Sequence, residues 1–408
     1  MTSLFDITLV GGGIIGRALA LGLATHEHTR HLRIALIDGN KSTPFNPAKY
    51  DSRVVALSAR SQQFLESVNA WQGISALRAC PYYAMKVWDG DGTGRIRFSS
   101  DDIHAPQLGH IVEASVIMSS LNAQLQQAQA QANRLRILEG VTVTHFDASS
   151  KTATKEGDMH TLQLSDNSTL ASQLVVGVDG ARSFIRQQAS ISTRDWSYGQ
   201  NAIITTVKTS LPHQHAAWQR FTQTGPIALL PLENNGKQDT CSLVWSVDTH
   251  KAEQLMALSS TDFCAALTRE TEQALGHIDQ VDQRISVPLH QRHAKRYYSD
   301  GVVLVGDAAH AIHPLAGLGA NLGFADVNTL VTEIARASER KLTFDHPQIL
   351  RRYERQRQGE NLAVMAAMEA FKRTFGADNM LVRYARNIGL KHCDQNVMIK
   401  KLMTRIMC

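Results

Sequence analysis

The chain has 408 residues, 43% hydrophobic and 19% charged, with a net charge of +5. That is an ordinary globular balance, long enough for two domains around a large core, and it excludes a disordered or collagen-like chain. No apolar run reaches about 18 residues, so no segment reads as a membrane-spanning helix.

Ile7–Val10 is an apolar run that predicts a buried strand, and Gly11-Gly12-Gly13-Ile14-Ile15-Gly16 after it fits G-x-G-x-x-G. Leu19, Leu21 and Leu23 continue as an apolar helix pattern. A second run, Ile34–Ile37, ends in Asp38, 22 residues after Gly16. Strand, glycine turn, helix, strand and acid together are the context a dinucleotide-binding βαβ unit needs. Gly11 permits the tight turn, Gly13 lets a pyrophosphate approach the backbone, and Gly16 lets helix pack on strand. Asp38 is placed to accept ribose hydroxyls. No second G-x-G-x-x-G occurs, so no second dinucleotide domain is expected. His26, His28 and His31 have no companion cysteine or acid motif and read as a loop; no metal-ligand spacing appears elsewhere.

Residues 43–50, with Pro44 and Pro47, read as a loop, and 58–68 as a helix. Residues 85–88 and 95–98 flank a glycine-rich turn and predict a hairpin. Residues 117–132 read as a helix, 136–138 and 141–145 as short strands, and 151–160 as a polar hairpin loop. Residues 161–164 and 170–178 return to the sheet and end in Asp179-Gly180, before a polar turn and a helix. From 196 to about 289 strands predominate, with candidates at 202–207, 227–232 and 241–247 and one helix near 260–274. Trp218, Phe221, Leu229, Leu230 and Trp245 could line an apolar site, although each singly reads as ordinary core.

Residues 302–305 are apolar and β-branched-rich, a buried strand ending in Gly306-Asp307. Pro314 fixes the backbone before Gly317-Leu318-Gly319-Ala320-Asn321, which runs into a helix. A carboxylate at a strand end accepts hydrogen bonds from hydroxyls, and free N–H groups at a helix start favour negative charge. Residues after 328 read as helical. Val364, Met368, Phe371 and Phe375 share one helix face, a stripe that either packs on the body or meets a partner or prenyl chain.

From Val331 to Cys408 there are 15 Lys/Arg against 8 Asp/Glu, a net +7, so the preceding residues sum to −2. A basic, Met-rich end suits an anionic membrane surface, an acidic partner, or simply a solvated helix. No groove-reading or stacking motif accompanies it, which argues against nucleic acid. Cys80, Cys241, Cys264, Cys393 and Cys408 are scattered without C-x-x-C and read as free thiols. With no leader before Phe5, the expected location is cytoplasmic.

Gly11–Gly16 with Asp38, then Asp179-Gly180, then Gly306-Asp307 with Pro314 and Asn321, in this order, resemble the single-component flavin aromatic hydroxylases. These are the class A group, similar to para-hydroxybenzoate hydroxylase. The resemblance implies an α/β fold: a Rossmann-like FAD-binding domain of the glutathione-reductase type, an inserted antiparallel-sheet substrate domain, and a C-terminal helical region. The FAD-binding parts are then 1–82, 105–190 and 291–330, the substrate parts 83–104 and 191–290, and the helical region 331–408. It implies FAD held by Gly11, Gly13, Gly16, Asp38, Arg53, Asp179, Gly180, Gly306, Asp307, Pro314, Gly317, Gly319, Ala320 and Asn321. Arg53 would lie near the pyrophosphate, where a guanidinium suits a diphosphate. Asp307 would meet the ribityl chain, and the backbone of 317–321 the pyrimidine ring. NAD(P)H as transient electron donor, O2 as co-substrate and oxygen transfer from a flavin C4a-hydroperoxide follow from the same resemblance.

A fuller likeness runs along the chain. Segments 51–58, 85–88, 108–113, 218–221, 225–232, 242–246 and 386–390 are similar to the ubiquinone-biosynthesis hydroxylases of bacteria. Met85-Lys-Val-Trp88 and Leu108-Gly-His-Ile-Val-Glu113 look most like the branch that hydroxylates 2-polyprenylphenol at ring position 5. The implied substrate is a prenylated phenol. The sibling alternative is a later methoxylated prenyl quinol, and an alternative of another class is a non-catalytic FAD-holding subunit of a biosynthetic complex. Membership of such a complex, contact with the inner membrane through the basic C-terminal region and homo-oligomerisation are the partner readings. Leu318 and Ala320 depart from the family's usual Gln and Val beside the flavin, and Ala114 from its usual Asn. No catalytic base is assigned: His310 reads as structural, and His313 is the candidate near the ring.

Overall fold

The computed structural model describes residues 2–90, 92, 94–131, 134–154, 157–312, 318–376 and 400. His313, Pro314, Gly317 and, apart from Lys400, the tail at 396–408 lie outside the described residues, as do the side chains of Phe371 and Phe375.

Two large sheets and one small one organise the chain. The first is parallel at its centre, where Ile34–Asp38, Ser3–Val10, Thr169–Gly177 and Val302–Leu304 lie side by side. Their aliphatic runs are almost wholly buried, as expected for strands covered on both faces. Helices Ile14–Thr25 and Ala114–Gln131 pack together, and Leu318–Glu339 packs on the first of them. Each fully buried Leu or Ile here contributes about 1.5–3 kcal/mol.

The second sheet runs in the order His310–Ala311, Ile285–Ala294, Thr193–Thr209, Thr240–Asp248, Gly225–Pro231, Ala216–Thr222, Ala84–Asp89, Arg95–Ser99. It is antiparallel except between Ala216–Thr222 and Ala84–Asp89. Helices Thr249–Ala257 and Ser260–Glu270 cover one face and bury Ile203, Ile227, Leu229, Leu243 and Trp245 beneath them. The small sheet joins Val54–Ser58, Gly109–Glu113 and Cys80–Tyr82.

The expected elements differ from the structure in instructive places. Strand Gly157–Leu164 begins inside the segment read as a loop, because it is a polar strand at the sheet's margin and shows no apolar alternation there. Strand Ile285–Ala294 was not expected, and it runs through the expected boundary at 290–291. Its Pro288 and two histidines hide it, and an edge position tolerates that proline. Helix Leu318–Glu339 is followed by Pro347–Gly376, on which Met365 is buried and Met368 packs against the body.

Candidate active site

The four central parallel strands end on one edge of their sheet, and each ending carries an expected site residue. Gly11 follows Ser3–Val10, Asp38 closes Ile34–Asp38, Asp179-Gly180 follow Thr169–Gly177, and Gly306-Asp307 follow Val302–Leu304. In open α/β sheets the crevice beyond the carboxyl ends of the strands is where ligands bind.

The glycine turn is fixed by close packing. A Cβ on Gly11, where φ is +120°, would lie 2.3 Å from the Val178 carbonyl oxygen. A Cβ on Gly16 would lie 1.9 Å from the Gly11 carbonyl oxygen, so the helix reaches under the turn only without one. Gly13, the N-cap, has no side-chain cap and open space above it. The first amides of helix Ile14–Thr25 precede its first internal hydrogen bond and therefore offer donors to an anion.

Asp38 is more constrained than expected. Its Oδ2 pairs with Arg17 Nη2 at 3.0 Å, and its Oδ1 accepts the Asn40 N–H at 3.0 Å. Arg17 is buried; it also donates to the Gly12 carbonyl at 2.7 Å and to Glu139 at 2.8 Å. A carboxylate carries about four acceptor sites, so Asp38 keeps capacity for a hydroxyl.

Asp179 Oδ2 accepts the N–H groups of Phe184 and Ile185 at 2.7 and 3.1 Å, and so caps the short helix that follows. Its Oδ1 is buried and finds no partner among the described residues. An acceptor of that kind beside the glycine turn fits a ligand hydroxyl or amide. Arg186 then ties this loop to the next, donating to Ala181 O at 2.9 Å and to Ala308 O at 2.8 Å.

Asp307 is open to solvent, yet protein surrounds it closely enough that lost solvation raises its carboxyl above the usual range. The combination describes the floor of a cleft. Behind it, fully buried Asp326 accepts the Gly306 N–H at 3.0 Å and lies 2.6 Å from His310 Nε2. Its other oxygen takes Arg357 Nε at 2.7 Å. Despite complete burial, these two partners hold the Asp326 carboxyl below its usual range, burial itself acting the other way. Sequence reasoning placed His310 in a structural role and missed Asp326, Arg357, Arg17 and Arg186; only burial in the fold distinguishes these from ordinary helix charges.

Asn321, in the first turns of helix Leu318–Glu339, uses its side chain on protein. Its Oδ1 accepts Ser61 Oγ at 2.7 Å and the Ser58 N–H at 3.1 Å, and its Nδ2 donates to Ala56 O at 2.7 Å. This clamps the helix start, with Gly319 and Ala320, against the small sheet. Arg53 leaves the same sheet with its side chain 78% exposed, 3.8 Å from Asp51.

Beside this clamp is a cavity of about 160 Å³, lined among others by Arg53, Ala56, Tyr82, Met85, Leu230 and Val244. Trp218 and Leu230 of the expected apolar site line it. Leu229 and Trp245 do not: strand alternation turns them to the opposite face, under the helices, and Phe221 is packed in the core below the hairpin. About 150 Å³ accommodates a benzene-sized ring. The glycine turn and the acids at the strand ends have the layout of a dinucleotide-binding α/β protein, with a small, mostly apolar cavity beside the helix clamp.

Residues 5–368 match the family model described as FAD binding domain. The chain is 31% identical over 97% of its length to the 3-demethoxyubiquinol 3-hydroxylase of Escherichia coli, covering 96% of that protein. It is 32% identical to the ubiquinone hydroxylase UbiL of Rhodospirillum rubrum, over 98% of this chain and 88% of that one. It is 31% identical to the mitochondrial ubiquinone biosynthesis monooxygenase COQ6 of Xenopus tropicalis, over 95% and 90%. In fold it is similar to p-nitrophenol 4-monooxygenase PnpA from Pseudomonas putida, with a TM-score of 0.79, 16% identity and coverage of 99% and 98%. PqsL of Pseudomonas aeruginosa, described as a probable FAD-dependent monooxygenase, superposes with a TM-score of 0.75, 18% identity and coverage of 96% and 100%. The chain belongs to the FAD-binding aromatic-hydroxylase family, in the group of ubiquinone-biosynthesis hydroxylases.

Proposed function

We propose that the chain hydroxylates the ring of a polyprenylated phenol in ubiquinone biosynthesis, with 2-polyprenylphenol and ring position 5 as the preferred assignment. The observation that carries the reading is the one-ring cavity whose wall residue Ala56 is hydrogen-bonded to Asn321 at the start of helix Leu318–Glu339. Segments 85–88 and 108–113 support the position. A later demethoxylated or methoxylated quinol is the second reading, favoured by the name of the Escherichia coli relative.

Bound FAD would supply the redox chemistry that activates O2, with NAD(P)H as its electron donor. The chain's own residues have four tasks. The amides after Gly13 and the exposed Arg53 hold the diphosphate. Asp38, Asp179 and Asp307 accept hydroxyls and amides along the cofactor. Gly319 and Ala320, at the positive end of a 22-residue helix, would offer their backbone to negative charge on the bound flavin. Tyr82, Met85, Leu230 and Val244 seat the ring and exclude water. His310 is committed to Asp326 and is not available as a base.

Deleting the gene and weighing the quinone lipids of the host tests the assignment. Accumulated polyprenylphenol with depleted ubiquinone supports position 5; an accumulated demethoxylated or methoxylated quinol moves the enzyme to the later step.

A further inference from the structure

The cavity, about 160 Å³, is close to the size of one ring and far smaller than a prenylated phenol. A prenyl chain on that ring must leave it, and one continuous apolar row shows where.

Ala228, Val244, Ile204 and Ile285 are direct cross-strand partners on four successive strands of the antiparallel sheet. Directly opposed residues share a face. Ala228, Val244 and Ile204 line the cavity, and Val244 and Ile204 are only half-buried. The row then emerges on strand Ile285–Ala294, where Ile285 and Val287 are each 41% exposed. Val287 pairs with Ala202, two residues from Ile204, so both exposed side chains lie on the cavity's face. From Ala228 to Ile285 is three strand spacings, ~14 Å.

Exposed β-branched residues on an outer strand invite aggregation, and chains ordinarily place charge there. Retaining Ile285 and Val287 on the same face, continuous with a ring-sized cavity, calls for an apolar occupant. Resting on the proposed polyprenylphenol reading, we infer that the Val244–Ile204–Ile285–Val287 face is the track along which the substrate's prenyl chain leaves the ring cavity.

The test is binding to the FAD-loaded protein of a detergent-dispersed phenol bearing several isoprene units, against the same phenol without a tail. Ile285→Lys and Val287→Lys are compared with wild type, and Ile285→Ser serves as a milder variant. Flavin content and size-exclusion volume are recorded for each. The expected result is about a tenfold or greater loss of affinity for the tailed phenol in each Lys variant, with a smaller loss in Ile285→Ser, and unchanged affinity for the tail-less one. Equal effects on both ligands, or none on either, overturn the inference. So does a change of oligomeric state in the variants, which would mean that a second copy covers the face. The reaction itself is read separately. Tail-dependent binding without an oxygenated product leaves the track standing and removes the hydroxylase reading; hydroxylation with tail-blind binding does the reverse.

Discussion

Asp326 and His310 meet at 2.6 Å with both side chains fully inaccessible to solvent, directly behind the Gly306-Asp307 turn. Through Arg357, Asp326 also anchors helix Pro347–Gly376, and through Asn361 the network reaches Tyr297 and His293. The cleft floor is therefore held from behind by a charged network rather than by apolar packing alone.

Replacing Asp326 with Asn leaves the buried Arg357 with Glu360, a half-exposed carboxylate, as its remaining anionic partner. Breaking a buried pair by removing one partner typically costs 3–5 kcal/mol, so about that loss is expected in the unfolding free energy, along with weaker flavin retention. Urea denaturation followed by fluorescence measures it. A variant as stable as wild type would show that Glu360 and Asn361 satisfy Arg357 without Asp326.

The same network makes stability acid-sensitive. Burial first, then the charges of His310 and Arg194, push the His293 imidazole from its ordinary 6.5 down to about 4. Between those values the unfolded chain binds a proton that the folded chain does not. The contribution of this group to stability is thus complete above about pH 6.5 and is lost as the pH drops toward about 4. His213, also lowered to about 4 chiefly by burial, adds a loss of the same sign. His293→Gln should flatten the dependence of the urea midpoint on pH across this window, and an unaltered slope would exclude His293 as a source.

Asp307→Ala removes the carboxylate on the cleft floor. The expected product is a folded, colourless protein, read from flavin absorbance after purification. A variant that keeps one flavin per chain would contradict the role given to Asp307.

Gly16→Ala introduces a Cβ where only 1.9 Å separates it from the Gly11 carbonyl oxygen. Backbone cannot yield as a flexible side chain can, so loss of flavin binding and a clear drop in melting temperature are expected. Arg17→Met should also destabilise, because it strands Asp38, a buried carboxylate, without its cation; a cost of about 3–5 kcal/mol follows the same reasoning.

The motifs were legible because their chemistry is local. The turn at Gly11–Gly16 and the Asp179-Gly180 and Gly306-Asp307 strand ends each declare themselves by a short apolar run meeting glycine or acid. Strand Ile285–Ala294 was not legible, since an outer strand carrying Pro288, His290 and His293 breaks the apolar alternation that reveals strands. Nor was the division between Leu230, facing the cavity, and Leu229, facing the helices, because alternation says which residues differ and not which face is which. Asn321 was expected beside the cofactor, and its three hydrogen bonds to Ala56, Ser58 and Ser61 come from partners some 260 residues away. Arg17 and Asp326 gave no local signal, because only the packed fold buries them.

The most direct test of the central claim is mass spectrometry of the product formed by FAD-loaded protein, a polyprenylphenol, NAD(P)H and isotopically labelled O2. The expected result is a ring-hydroxylated product bearing a single oxygen atom from O2, formed in step with NAD(P)H oxidation. Oxygen incorporated from water, or NAD(P)H consumption with no oxygenated lipid, would contradict it.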